Sequence, residues 1–208
     1  MYLTRVVLDA RQRSVWRLLA SPSRIHGLVE SAFPGARRRN LWRVDNLNGG
    51  PCLLILSEER PELTAAAEKT PGGLLTWETR DYTPLLERIR SGGLWQFRLT
   101  ANPTVSTTRP GERGKVKACP SVPAQEQWLL ARAEGHGFSL AEDAFRVTES
   151  SWHQFSKESG KVVLRGVSFE GLLTVSDAAR FREALVSGIG RGKAYGMGLL
   201  TVMRPGGS

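Results

Sequence analysis

Leu3-Thr4-Arg5-Val6-Val7-Leu8 is rich in β-forming residues and ends at Asp9, and Val15, Leu18 and Leu19 fall at helical spacing directly behind it. The chain therefore opens as strand then helix. Pro22 interrupts that helix, and Ile25, Leu28, Val29 and Ala32 then repeat at i, i+3, i+4 and i+7, the apolar stripe of a second helix that carries His26. Gly35 ends the stripe and the basic run Arg37, Arg38, Arg39 follows. Leu41 to Val44 and Pro51 to Leu56 read as two strands joined by the turn formers Asn48, Gly49 and Gly50. The order to this point is β-α-β-β.

Further along, Thr64 to Glu68 or Pro84 to Arg90 supplies a helix and Leu74 to Thr79 a strand. Gly92-Gly93 marks a boundary that predicts domains 1–92 and 93–208. Beyond it, Leu94 to Thr100 reads as a strand, Ala101 to Pro123 as a polar, basic loop and Gln125 to Glu134 as a helix. Ser151 to Phe155 and Val162 to Val175 read as strands around a Lys157 to Lys161 turn. Asp177 fits the N-cap of a helix running through Ser187, followed by a glycine-rich loop and a last strand, Leu199 to Met203. Each half suits the β-α-β-β-α-β plan, so the predicted class is α+β with two tandem ferredoxin-like units.

A chain of 208 residues with 40% hydrophobic and 24% charged side chains has an ordinary globular composition, which excludes global disorder, collagen and a disulfide scaffold. The net charge of +9 and pI near 10.2 point to a polyanionic partner, with nucleic acid first. The excess is spread over both halves, 15 basic against 10 acidic residues in 1–100 and 14 against 10 in 101–208, so no tail carries it. Cys52 and Cys119 stand far apart without metal-ligand spacing, and no signal peptide or membrane span is read. The expectation is a cytoplasmic protein with no metal and no cofactor.

Gly188-Ile-Gly-Arg-Gly-Lys-Ala-Tyr-Gly-Met-Gly198 resembles a phosphate loop only at first sight. Ser187 stands where a Walker A loop needs glycine, and Ala194 where it needs the magnesium ligand. The segment also follows a helix and precedes a strand, the reverse of the order that aims a helix N-terminus at phosphate. Two readings remain open: backbone N–H groups with Arg191 and Lys193 lying on an RNA backbone, or a tight connection with solvated charges. Of the three histidines, His136 and His153 read as surface or packing residues. His26 sits at the margin of the apolar stripe, aimed at the rim of the core, with Glu30 one turn on. Lys115, Lys117, Lys157, Lys161 and Arg165 form a candidate track for a nucleic-acid backbone. The six tryptophans read mainly as packing. No serine-hydrolase elbow, HExxH or paired-carboxylate signature occurs.

Met1-Tyr2-Leu3-Thr4, His26 after the first helix, Leu41-Trp42-Arg43-Val44, Phe97-Arg98-Leu99-Thr100-Ala101-Asn102-Pro103, Phe169-Glu170-Gly171 and the closing Gly190 to Leu200 segment together resemble the CasE family of CRISPR repeat-RNA endoribonucleases, over essentially the whole chain. The resemblance implies two ferredoxin-like domains related to RNA-recognition modules. It implies cleavage of the precursor transcript at each repeat stem-loop, and association with product and other Cascade subunits. It places His26 on the catalytic histidine. The 2′-hydroxyl upstream of the cut would attack the adjacent phosphate, leaving a 2′,3′-cyclic phosphate and a 5′-hydroxyl, with His26 as acid or base. Where family members commonly carry a tyrosine three residues earlier, this chain has Ser23, a catalytic candidate by position whose hydroxyl is shorter and far less acidic. Arg24, Arg37, Arg38, Arg39 and Lys161 are candidates to neutralise the phosphorane, and Lys157 to Arg165 matches the family's basic hairpin. Thr104 to Lys117, Arg191 and Lys193 would extend the RNA track.

Overall fold

The structure is a computed structural model and describes all residues except 36–37, 71, 108–114, 158–159 and 207–208. It divides into two units, Met1–Arg88 with Lys193–Leu199, and Ile89–Gly192 with Leu200–Ser208. The division falls just before the Gly92-Gly93 pair. Lys193–Leu199 groups with the first unit, although the sequence reading placed it in the second.

In the first unit the elements run β1 (Tyr2–Leu8), α1 (Arg13–Leu19), α2 (Pro22–Ser31), β2 (Leu41–Leu47), β3 (Gly50–Ser57), α3 (Leu63–Glu68), β4 (Leu74–Asp81) and α4 (Thr83–Arg88). The sheet order is β2-β3-β1-β4, all antiparallel, with β1 in the middle pairing β3 and β4. This is the ferredoxin-like order, in which each strand-helix-strand unit is split by a strand from the other. The stripe anticipated on α2 is buried at Ile25, Leu28 and Val29, and packs with Val6, Leu53 and Ile55 from the sheet. Asn48 and Gly49, at φ +53° and +78°, make the β2–β3 turn; two left-handed residues are what a tight hairpin needs to match strand twist. Both candidate helices between 58 and 93 form. Asp9 accepts hydrogen bonds from the backbone and side chain of Arg11 and from Gln12 before α1, and the Arg11 guanidinium holds its carboxyl down at about 2.

The second unit continues with β5 (Leu94–Ala101), β6 (Thr104–Thr107), β7 (Lys115–Ala118), α5 (Val122–Ala133), β8 (Phe138–Ser139), β9 (Phe145–Lys157), β10 (Gly160–Val175), α6 (Ala178–Ser187) and β11 (Leu200–Met203). The order β11-β5-β10, with β9 and β8 both on β10, repeats the plan of the first unit. Asp177 caps α6 as expected, its side chain accepting from Ala179 and Arg180 N–H groups. Two expectations change. The polar stretch after Ala101 contains the β6–β7 hairpin, and the β9–β10 ribbon is longer than its apolar residues suggested.

The two sequence segments most specific to the family meet here. Leu200 and Val202 of β11 pair with Leu99 and Phe97 of β5, and Asn102 makes an isolated bridge to Arg191. The tryptophans divide evenly. Trp42, Trp95 and Trp128 are buried, whereas Trp16 and Trp152 are more than half exposed and Trp77 nearly so, which corrects the reading of most of the six as packing. Among the described residues no helix is long and apolar enough to cross a membrane.

Candidate nucleic-acid cleavage site

His26 is where its spacing put it, on the flank of α2 at the edge of the core, with 37% of its side chain exposed. Its Nδ1 lies 4.0 Å from Glu30 Oε1, one turn on, a charge contact longer than a hydrogen bond that forms when the ring is protonated. Ser23 lies one turn before His26, but its hydroxyl oxygen is enclosed and finds no hydrogen-bond partner among the described residues. Arg24 precedes His26 by two residues, about 200° around a helix, and so projects from the other flank. There its Nη1 donates to the Arg17 carbonyl at 3.3 Å, and it lines a hollow of about 380 Å³ with Arg17, Leu18, Leu28 and Lys69.

Arg38 is engaged by two carboxylates, Glu58 at 2.5 Å and Glu59 at 3.2 Å, while Arg39 is exposed. Arg37 lies outside the described residues. The structure thus separates cations that their sequence proximity had grouped: Arg24 faces away from the imidazole and Arg38 is held by acids.

Lys193 belongs to the first unit with His26. It begins a single helical turn, Lys193–Tyr195, that packs against both α2 and β2. The turn is held in place by features that sequence reasoning missed. Gly196 has φ +78°, and a Cβ there would sit 2.4 Å from the Trp42 ring, so only glycine fits. Arg43, 2% exposed, makes a two-pronged pair with Asp45 at 2.7 Å and donates from Nη1 to the Leu199 carbonyl at 2.7 Å. One signal was available: Arg43 and Asp45 are two apart in a strand of otherwise core-forming residues, so they share a face.

The remaining basic candidates fall in the second unit. Lys157 and Lys161 occupy the tip end of the β9–β10 ribbon, opposite Gly160 and Ser156, and Lys115 begins β7; the side chains of these three lie outside the described residues. Lys117 and Arg191 are exposed. Arg165 is partly structural. It donates to Ser150 Oγ and to the Pro120 carbonyl, both at 3.0 Å, and lies 5.2 Å from the ring centre of Trp152, its cross-strand partner. His136 bonds the Arg132 carbonyl and His153 lies near Ser151, the local roles expected of them. Cys52 and Cys119 are free and buried, and burial pushes both thiols up.

Duplicated ferredoxin-like units, an accessible imidazole and a basic ribbon are now joined by what other proteins show. The chain belongs to the family of CRISPR associated proteins, which it matches over residues 1–204. It is 32% identical to the CRISPR-associated endoribonuclease Cse3 of Thermus thermophilus, across 97% of this chain and 99% of that one. It is 27% identical to the CRISPR system Cascade subunit CasE of Escherichia coli, across 97% and 98%. Among solved structures, Cse3 bound to a 19 nt RNA superposes with a TM-score of 0.82 at 29% identity, covering 98% of this chain and all of the other.

Proposed function

We propose that the protein is a metal-independent endoribonuclease that binds the stem-loop of CRISPR repeat RNA and cuts the precursor transcript to mature crRNA, staying on its product alongside other Cascade subunits. The observation that carries this reading is the partly exposed imidazole of His26, with the Glu30 carboxylate 4.0 Å away, in a chain related over its whole length to a CRISPR-associated endoribonuclease. The reaction needs no hydrolytic water. The ribose 2′-oxygen bonds to the neighbouring phosphorus as its proton leaves, the bond to the 5′-oxygen breaks, and the products are a 2′,3′-cyclic phosphate and a 5′-hydroxyl. An imidazole titrates near neutrality in its ordinary state and can take or give a proton in this sequence.

RNA is held by the second unit in this reading. Lys117 and Arg191 are exposed cations, Lys157 and Lys161 stand at the end of a long ribbon, and Arg165 keeps that ribbon fixed to the approach of α5. A-form stems present phosphates and a deep, narrow major groove, so shape and charge dominate. Lys193 and Arg39 are the first-unit cations nearest in role. The site of action is the cytoplasm, where the transcript is made.

The test is the cognate repeat hairpin with a single 2′-deoxy sugar at the cut. Cleavage should stop while binding persists, and the all-ribose RNA should yield a cyclic phosphate. Products with 3′-hydroxyl ends, or binding with no cleavage of the all-ribose RNA, would overturn the reading. Affinity should fall steeply between 50 and 200 mM salt, by about 100-fold if four or five phosphates are neutralised, as filter binding would register.

A further inference from the structure

Two protons must move in this cleavage, one off the 2′-hydroxyl and one onto the leaving 5′-oxygen, and one imidazole cannot do both at once. The first unit narrows the search for the second group. Ile25, Leu28 and Val29 turn α2 toward the sheet, which leaves it two flanks. One flank carries Arg24 and Leu28 and meets Ser14, Arg17 and Leu18 of α1, across the hollow described above. The other carries His26. α1 lies toward the β4 edge, since a Cβ on Gly73 would meet Val15 at 2.9 Å, whereas the Lys193–Tyr195 turn packs on β2, the opposite edge of the sheet. That turn also packs on α2. The His26 flank is therefore the one facing the turn.

On α2 itself Ser23 offers only an enclosed hydroxyl, and Glu30 is placed at the imidazole. α3 also packs against α2, but Leu63-Thr-Ala-Ala-Ala-Glu68 brings no phenol or amine. We propose that Tyr195 is the second proton-transfer residue of the site. The turn brings Lys193 and Tyr195; Lys193 serves the phosphate charge, and the phenolic O–H of Tyr195, a neutral donor, suits the acid role, which leaves His26 the base. In the forward step the 2′-OH proton passes to His26 as the O2′–P bond forms. The P–O5′ bond breaks and the phenolic proton passes to the 5′-oxygen. Exchange with solvent then returns a proton from imidazolium to phenolate. Tyr195 is half-buried and directly precedes Gly196, which lies against the Trp42 ring, with the Arg43-bound Leu199 carbonyl four residues on, so its backbone is set before RNA arrives.

The inference rests on the RNA-cleaving reading of His26, and the experiment separates the two. Tyr195→Phe and the wild type are compared in single-turnover cleavage of two cognate hairpins, one with the natural 5′-oxygen at the cut and one with bridging sulfur, a leaving group that needs no acid. Tyr195→Phe should slow cleavage of the oxygen RNA about 10²-fold with RNA affinity unchanged, and cut the sulfur RNA at the wild-type rate. Equal loss on both RNAs, or no loss on either, overturns the role of Tyr195 and leaves His26 untouched. Failure of the wild type to cut either RNA overturns the cleavage reading and this inference with it. Preserved affinity also reports that the variant is folded.

Discussion

His26→Ala should reduce cleavage of the repeat hairpin by about 10²- to 10⁴-fold, the usual contribution of a positioned acid or base, and leave affinity within about a factor of two. The reason is geometric. The imidazole stands at the edge of the core with more than a third of its surface open, its neighbours on α2 bury the apolar stripe without it, and Glu30 is its only ion-pair partner among the described residues. Removal therefore takes away a titratable nitrogen and little else. Single-turnover rates with titration of an uncleavable 2′-deoxy hairpin measure both quantities. A large loss of affinity with modest loss of rate would make His26 an RNA contact instead. His26→Ala should also fail on the bridging-sulfur RNA, because a better leaving group does not remove the 2′-hydroxyl proton.

Arg43→Ala should cost about 3 to 5 kcal/mol, because it leaves the Asp45 carboxylate buried without its partner and the Leu199 carbonyl without a donor. For a chain of this size that lowers the thermal midpoint on the order of 10 °C, readable by calorimetry. Arg43→Met with Asp45→Leu should be far milder, since replacing a buried pair with apolar residues removes the desolvation cost along with the attraction. If Arg43→Ala changes stability by less than about 1 kcal/mol, water satisfies Asp45 and the pair is not what holds the Lys193–Leu199 segment.

Both ferredoxin-like units were legible because each depends on short-range signals. The stripe Ile25, Leu28, Val29 fixes a helix face, Asn48-Gly49 fixes a hairpin, and Asp177 fixes a helix start. The β6–β7 hairpin was missed because Thr104–Thr107 and Lys115–Ala118 are only four residues each, with Val105 the single apolar side chain of one and Val116 and Ala118 those of the other, too short a run to stand out in a polar stretch. His26 was legible as a rim residue from its phase relative to Ile25. The grouping of nearby arginines around it was not, because neighbours in sequence on a helix project in different directions, as Arg24 does. The roles of Arg43 and Tyr195 were harder to read for another reason: beyond the two-residue spacing of Arg43 and Asp45, they come from contacts more than 150 residues away along the chain, such as Arg43 to Leu199. Trp152 was misjudged because alternation alone does not say which face of a two-stranded ribbon is covered.

The loan of seven late residues to the amino-terminal fold makes this protein hard to dissect. A fragment that stops at Arg88 would be born with the Trp42 ring uncapped at the place Gly196 covers and the Arg43 fork short of one acceptor, a sticky and frustrated half-protein. On the ribosome the first unit therefore reaches its finished form only after Leu199 has emerged, more than 100 residues behind the rest of that fold.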